Sequence, residues 1–304
     1  MREPSRRRGL GHRMGWVWVA ILAGIMVVAF AVVTSLYDAE GSVTQSGGTT
    51  ESVTSGFGAK VTPIAVTPLM STATVRLAFH AYGEELLDGN GRLGQNTRIT
   101  VVTDRGVVEN RYFAGTVPSP VEAEVGIDGD QALYPFDEHA GYLIVVVDSF
   151  AVQDDGSIVS LEELPLTLVS GGGVSGWNTA VTMSAPMSEE PQAAFVFNRA
   201  FSTQAFAMLI LIMSVVLAAL ALTVGVLVRT GRRIAEGALL GWSAALIFAL
   251  PALRNFMPNS PPIGVAIDIY VFLWVMVGAV CAAVLVILGW IEKGRVRKDV
   301  EHAA

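Results

Sequence analysis

The side chains whose type and spacing could do chemistry here are a few charges and one aromatic corner. Tyr134-Pro135-Phe136-Asp137 sets a carboxylate directly behind an aromatic–proline–aromatic run. Proline cannot donate to a β-ladder, so the run marks a strand edge or a corner. The aromatic pair would plug that corner and leave Asp137 as an exposed acceptor for a cation, the other reading being a solvated turn. Arg199 is one of seven cations between Asp38 and Ala200 and stands just before a long apolar run. If the two side chains couple, reversing either charge should do damage that swapping both repairs. Asp268 lies inside another apolar run, where an ionisable side chain is a functional candidate. Arg254 closes the preceding run, and an Asp268–Arg254 pair would neutralise both and pin the connection around Pro258, Pro261 and Pro262. A part in ion passage is the other use of a carboxylate at that depth. Glu236 opens the run that Arg254 closes.

None of these groups makes an enzyme's constellation. Gly171-Gly172-Gly173-Val174-Ser175-Gly176 formally matches G-x-G-x-x-G, but Trp177-Asn178-Thr179-Ala180-Val181 after it reads as strand, whereas a dinucleotide site needs a helix there. The Asp88-Gly89-Asn90-Gly91-Arg92 turn puts a cation where a calcium loop needs a third oxygen. His80 and His139 fall in no HExxH or His-x-His pair, and neither a nucleophile elbow nor a Walker motif occurs. The single cysteine, Cys281, excludes an internal disulfide framework and a cysteine zinc site. The expectation is no catalytic residue, no metal, no cofactor and no enzymatic activity.

The elements that must position the charges are mostly apolar. The 304 residues are 52% hydrophobic and only 15% charged, and the mean hydropathy is +0.52. Soluble domains carry about 25% charged residues. A helix needs about 20 apolar residues to span a bilayer, and four stretches qualify: residues 16–37, 204–228, 235–253 and 263–291. Arg2, Arg6, Arg7, Arg8 and Arg13 precede the first, Arg229, Arg232 and Arg233 follow the second, and Lys293, Arg295, Arg297 and Lys298 follow the fourth. Four crossings bring all three groups to one side, the cytoplasm by the positive-inside rule. Trp16, Trp18 and Trp290 then lie at the inner interface, with Tyr37, Phe201 and Phe256 at the outer one. Residues 1–15 and 292–304 become cytoplasmic tails, and residues 38–200 lie outside. The first run also fits a cleavable signal peptide ending near Val33 and Ser35, but it is longer than a typical signal core, and an uncleaved signal-anchor is expected. Gly237 and Gly241, four apart, make a small-residue face for close helix packing.

The outer segment holds 21 acidic side chains against seven basic ones, a field that would draw cations loosely. Residues 38–60 are rich in Ser, Thr and Gly and read as a flexible tether. From 61 to 200 the pattern has period two. Val75, Leu77 and Phe79 alternate with polar or small neighbours, as do Val121, Ala123, Val125 and Ile127. Tyr142–Val147 suits a central strand, and Leu166–Val169, Val181–Met183 and Phe195–Phe197 are further strands. Asp-Gly turns separate them, and no long helix is evident. The expected domain is an antiparallel β-sandwich.

The Tyr134–Asp137 run, Leu250-Pro251-Ala252-Leu253-Arg254-Asn255, Pro261-Pro262-Ile263-Gly264 followed by Asp268, and Ser71–Gly94 together resemble a bacterial membrane family, domain of unknown function 4436. The likeness extends from Val61 to Trp290. It implies the same layout and supplies no activity. A mechanistic likeness to pentameric ligand-gated channels rests on the same corner, on Arg199 before a span, on Glu236 at the mouth of a candidate pore helix and on Ala266–Tyr270 opening the next. The order would be a circular permutation, with the first span in the place of the channels' last. The candidate pore span departs from that pattern, with only Ser243 as a hydroxyl.

Taken together, the expected fold is an extracytoplasmic all-β sandwich plus four transmembrane α-helices, one N-terminal and three C-terminal, in the plasma (inner) membrane with both termini cytoplasmic. The expected role is binding or sensing in the cell envelope. An oligomeric ligand-responsive channel and a transporter accessory subunit are the alternatives. The expected partners are the lipid bilayer and either further copies of the chain or an envelope protein or polymer, not nucleic acid.

Overall fold

A computed structural model describes residues 24, 27, 30, 31, 34 and 35 and then 56–83, 86–184, 191–234, 236–259 and 261–302, with side chains through residue 292. The chain forms two units, Met1–Ser42 and Val43–Ala304. In the first, the six described residues are helical. The remainder of the first apolar run, the basic tail before it and the tether as far as residue 55 lie outside the described residues.

The second unit opens with β1 (Gly56–Thr67), β2 (Thr72–Tyr82), β3 (Thr97–Thr103), β4 (Gly106–Tyr112), β5 (Val121–Gly126) and β6 (Asp128–Gly129). These are followed by β7 (Glu138–Val152), β8 (Ile158–Glu163), β9 (Leu166–Ser170), β10 (Trp177–Met183) and β11 (Gln192–Arg199). One sheet runs β5-β2-β1-β9, the other β10-β11-β7-β3-β4, with β6 and β8 also paired to β7. β1 begins at Gly56, so the last five residues read as tether are strand. Leu166 lies opposite Phe57 in a parallel pair, β1 with β9, which corrects the antiparallel expectation. β9 enters through Pro165, whose carbonyl accepts the Phe57 N–H at 2.8 Å, and so runs alongside β1 in the same direction.

The alternation does what its period requires. Ala73, Val75, Leu77 and Phe79 of β2 turn inward, as do Ile99 and Val101 of β3, Leu143, Val145 and Val147 of β7, and Phe195 and Phe197 of β11. They form one core between the two sheets, each large side chain contributing roughly 1.5–3 kcal/mol by leaving water. β7, fifteen residues long, is the backbone of the larger sheet. It pairs with β11 along Glu138–Ile144 and with β3 along Ile144–Ser149.

Three long apolar helices follow. α1 is Phe201–Arg229 and α2 is Gly237–Asn255; a π-helical turn at Asp268–Phe272 leads into α3, Leu273–His302. All three are long and apolar enough to cross a membrane, α3 counted with its π-helical start through Glu292. Ile263 and Gly264, expected to open the last helix, instead form a turn, and helix begins at Ala266. α1 and α3 approach through small residues, as helices without a hydrophobic drive between them must. A Cβ on Gly225 would lie 2.9 Å from the Ala282 carbonyl oxygen, and one on Gly289 2.8 Å from a Val228 methyl. Gly237 and Gly241, expected to make the close contact, have nothing within 4 Å of such a Cβ, because α2 turns Ser243, Leu246, Leu250 and Arg254 inward instead. Gly225→Val should therefore separate α1 from α3 and lower stability by about 1–3 kcal/mol, read as melting temperature in detergent, while Gly241→Val should change it little.

Candidate functional site: the junction between sheet and helices

Strand register gathers the charges. β11 pairs with β7 so that Asn198 faces Glu138 and Phe197 faces His139, and with β10 so that Arg199 faces Trp177. The corner before β7 is a short 3-10 turn, Gln131–Leu133, whose start is capped by Asp130 accepting the Ala132 N–H at 2.9 Å. A cis Tyr134–Pro135 bond follows, and the Phe136 N–H returns to the Leu133 carbonyl at 2.9 Å.

This corner divides its two aromatics. Tyr134 is buried, packed with Ala207, Ile210 and Leu211 of α1 and with Met257 and Val265 of the α2–α3 connection. Its hydroxyl donates to the Pro258 carbonyl at 3.0 Å. Phe136, expected to share the plug, is 62% exposed, since the chain turns between the two residues, with the Phe136 N–H returning to Leu133, and does not keep them on one face.

Asp137 is also not where it was expected. It is 1% exposed rather than solvated. Its Oδ1 accepts from Arg199 Nε at 2.7 Å, and its Oδ2 from Arg199 Nη2 at 3.0 Å. His139 Nε2 lies 2.9 Å from the same Oδ2. The Arg199 guanidinium sits 4.7 Å from the centre of the Tyr134 ring and 4.4 Å from that of Trp177, so two aromatic faces replace part of the water a cation loses. Trp177 in turn meets His139 edge-on at 5.9 Å. Arg199 Nη1 has no partner among the described residues. The side chain lines a cavity of about 20 Å³ with Gln131, Asn259, Pro261 and Pro262, room for one water.

The protonation behaviour follows from this packing. Burial pushes the Asp137 carboxyl up, but the hydrogen bonds to His139 and Arg199 and the charge of the guanidinium outweigh it and hold the group below its ordinary value. Burial pushes the Tyr134 phenol up to about 12, so it remains a donor. Because the folded state holds Asp137 more acidic than the unfolded chain does, the pair's contribution is complete above the ordinary carboxylate value and is lost as pH falls through the depressed one. Melting temperature should thus drop on the acid side more steeply in the wild type than in Asp137→Asn.

A second cluster closes the far side of the junction. Arg254 donates from Nε and Nη2 to the two Asp268 oxygens at 3.0 and 2.7 Å, and to the carbonyls of Pro261 and Pro262, each at 2.8 Å. Asp268 also accepts the Gly264 N–H at 2.9 Å. The α2–α3 connection is therefore folded around one guanidinium. Glu236 is not drawn into either cluster; it stands exposed at the start of α2 without capping it through its side chain.

Other motifs resolve into structure. The glycine-rich run ends at Gly176, whose φ of 81° aims its carbonyl at the start of α1, where it accepts from the Ala200 N–H at 3.0 Å and from Thr203 Oγ1 at 3.2 Å. Asp88 accepts the Asn90 and Arg92 N–H groups of its own turn. Among the described residues, no three His, Cys, Asp or Glu side chains gather as a metal site. His139 and Trp177 were missed in the sequence. His139 follows Asp137 at the two-residue spacing that puts side chains on one face, a signal that was available; Trp177 had none.

The residues of the junction divide between two known families. Residues 48–197 match the model of Domain of unknown function (DUF4436). That part of the chain is a DUF4436 domain. Residues 199–293 match a second model, Domain of unknown function (DUF8686). The likeness expected to run from Val61 to Trp290 within one family is thus carried by two. Leu250–Asn255, Pro261–Gly264 and Asp268 fall in the DUF8686 part. Neither match is to a channel, and no curated protein matches the chain. Asp137 and Tyr134 lie in the DUF4436 domain, and Arg199 and Pro258 lie in the DUF8686 region, so the buried bonds at the junction join one to the other.

Proposed function

We propose that this chain is a multi-pass protein of the plasma (inner) membrane that binds or senses an envelope component through an acidic, extracytoplasmic β-sandwich and passes the bound state to its helices. The role is non-catalytic. The observation that carries the reading is the buried junction. A domain that only needed anchoring would require a tether, whereas here Tyr134 is packed among helix side chains and the Asp137–Arg199 pair is closed to solvent. Sheet and helices therefore move together, and a ligand that shifts β7 or β11 shifts the start of α1 and the α2–α3 connection. The lysine and arginine bias supports the orientation. Leu69, Leu133, Phe136, Phe256 and Ile263 are all exposed and suit a headgroup region at this end of the helices.

A reporter enzyme active only outside the cytoplasm, inserted at the exposed Asp155–Gly156 turn of the full chain, should be active. Activity only of a cytosolic reporter at that site would end the reading. Full-length protein in nanodiscs should then co-sediment with cell-wall polymer, or retain a protein or lipid from envelope extracts.

A second reading, an oligomeric ligand-responsive channel, is favoured by α2. It keeps Trp242 and Phe248 exposed, a surface that a ring of copies would cover. Currents across a planar bilayer and a ring-sized particle in mild detergent would support it; a silent monomer would exclude it. Co-purification with a larger permease would instead favour the accessory-subunit alternative.

A further inference from the structure

The lengths of the three apolar helices fix a level on the sheet domain. Arg229 at the end of α1 and Glu292 on α3 form an exposed pair at 2.7 Å, and a charged pair open to solvent marks one edge of the hydrocarbon. The hydrocarbon takes about 20 helical residues. Counted back from the pair, its opposite edge falls near Leu209 on α1 and near Phe272 at the start of α3, and α2 ends at Asn255. These positions converge on one packed cluster, in which Ile210 and Leu211 of α1, Leu253 of α2 and Val271 before α3 gather with Tyr134. The Tyr134 ring therefore lies at the hydrocarbon edge. Phe136, two residues on and exposed, is within about 7 Å of Tyr134 by the reach of the chain, which is the depth of the headgroup layer.

We infer that this end of the sheet domain is a lipid-binding surface, with Phe136, Leu133 and Leu69 seated in the leaflet on its own side. The inference rests on the reading that the helices cross a bilayer, and it gives the proposed sensor a partner, the phospholipid of that leaflet. The three side chains belong to connections that are bonded together. Gln131 Nε2 donates to the Pro68 carbonyl, next to Leu69. Leu133 ends the same 3-10 turn as Gln131, and the Phe136 N–H returns to Leu133. Leu69 also lines the Arg199 cavity with Pro261 and Pro262 of the α2–α3 connection, where Phe256 and Ile263 are exposed as well. The apolar surface of the turns thus continues into that of the helix ends, and the lipid around the helices is its occupant. Headgroup charge does not select that lipid. Arg105 Nη2 donates to the Met70 and Ser71 carbonyls, each at 3.0 Å, and puts a cation at this end, while Asp128 and Asp130, both exposed, put two anions there. A zwitterionic bilayer suffices.

Spin labels on the full-length protein test this. In a Cys281→Ala background, single cysteines are introduced by Phe136→Cys, Leu69→Cys, Val216→Cys and Asp154→Cys. Each labelled protein is placed in phosphatidylcholine nanodiscs, one copy per disc. Oxygen concentrates in lipid and a nickel chelate stays in water, so collisions with each report the surroundings of a label. Relative to the label at 154, in the exposed turn at the far end of β7, the labels at 136 and 69 should lose chelate collisions and gain oxygen collisions. Burial within protein would lower both. Chelate access at 136 and 69 equal to that at 154 would overturn the proposal. Protection that appears only with two or more copies per disc would assign the surface to a second copy and overturn it as well. The label at 216, exposed midway along α1, reports on the bilayer reading separately. Free chelate access there would show that α1 does not cross, whereas protection at 216 without protection at 136 and 69 would reject the lipid-binding surface alone.

Discussion

Asp137→Asn is expected to cost about 3–5 kcal/mol, read as a fall in melting temperature on the order of 10 °C. Asparagine keeps the shape of the side chain but removes the charge and turns one acceptor oxygen into a donor, so the effect is on electrostatics and hydrogen bonding rather than packing. The Arg199 guanidinium is 4% exposed and would be left without its counter-ion. The Tyr134 and Trp177 faces contribute about 0.5–2 kcal/mol each to a desolvated cation, which does not replace a carboxylate. The amide also replaces one of the two acceptor oxygens with an NH2 donor, so either Arg199 Nε or the pair of Arg199 Nη2 and His139 loses its acceptor. Replacing both partners, Asp137→Asn with Arg199→Met, should recover most of the loss, because a thioether packs well between two aromatic rings and no buried charge remains. The coupling between the two substitutions should reach about 2 kcal/mol or more. A charge swap, the repair that the sequence suggested, is not expected to work. An aspartate at 199 would put an anion between two ring faces whose quadrupoles repel it, and an arginine at 137 would face His139. If Asp137→Asn melts within about 2 °C of the wild type, the pair is not holding the junction.

How far the sequence carried this site depends on the range of each signal. The strands were legible because a period of two is local: Val75-Leu77-Phe79 and Val121-Ala123-Val125 declare their inward face within a few residues. The helices were legible because length and apolarity are summed over a window. The two ion pairs could be guessed because charges are scarce near the spans, so Arg254 and Asp268 had few other partners. What was not legible was depth. Nothing within Tyr134–Asp137 says that the tyrosine enters the helices and the phenylalanine does not, or that Asp137 is sealed. That is decided by the β7–β11 and β10–β11 registers, which bring Arg199 and Trp177 from residues far along the chain. The parallel β9 and the outward Gly237 and Gly241 were misread for the same reason. Direction of entry and rotation of a helix about its axis are tertiary properties, whereas a small-residue spacing looks alike on either face.

Arg254→Gln should be the more damaging substitution at the second cluster, costing about 3–5 kcal/mol, with Asp268→Asn the milder. Both remove the ion pair, but they leave different debris. Without the aspartate's charge, Arg254 keeps the Pro261 and Pro262 carbonyls and the connection stays wrapped around it. Without the arginine, those two carbonyls and a carboxylate lose their donor together, and only the Gly264 N–H remains on Asp268. The connection should then loosen, with amide exchange rising across residues 256–267 relative to α1 and α3. Pro258, which accepts the Tyr134 hydroxyl, lies within that stretch, so the damage should spread toward the sheets. Tyr134→Phe costs the wild type one hydrogen bond, about 0.5–1.5 kcal/mol. In the Arg254→Gln background it should cost less, because the carbonyl it serves is no longer held in place. Strict additivity of the two substitutions would mean that the connection and the corner are independent, and that a signal arriving at β7 reaches the helices through Arg199 alone.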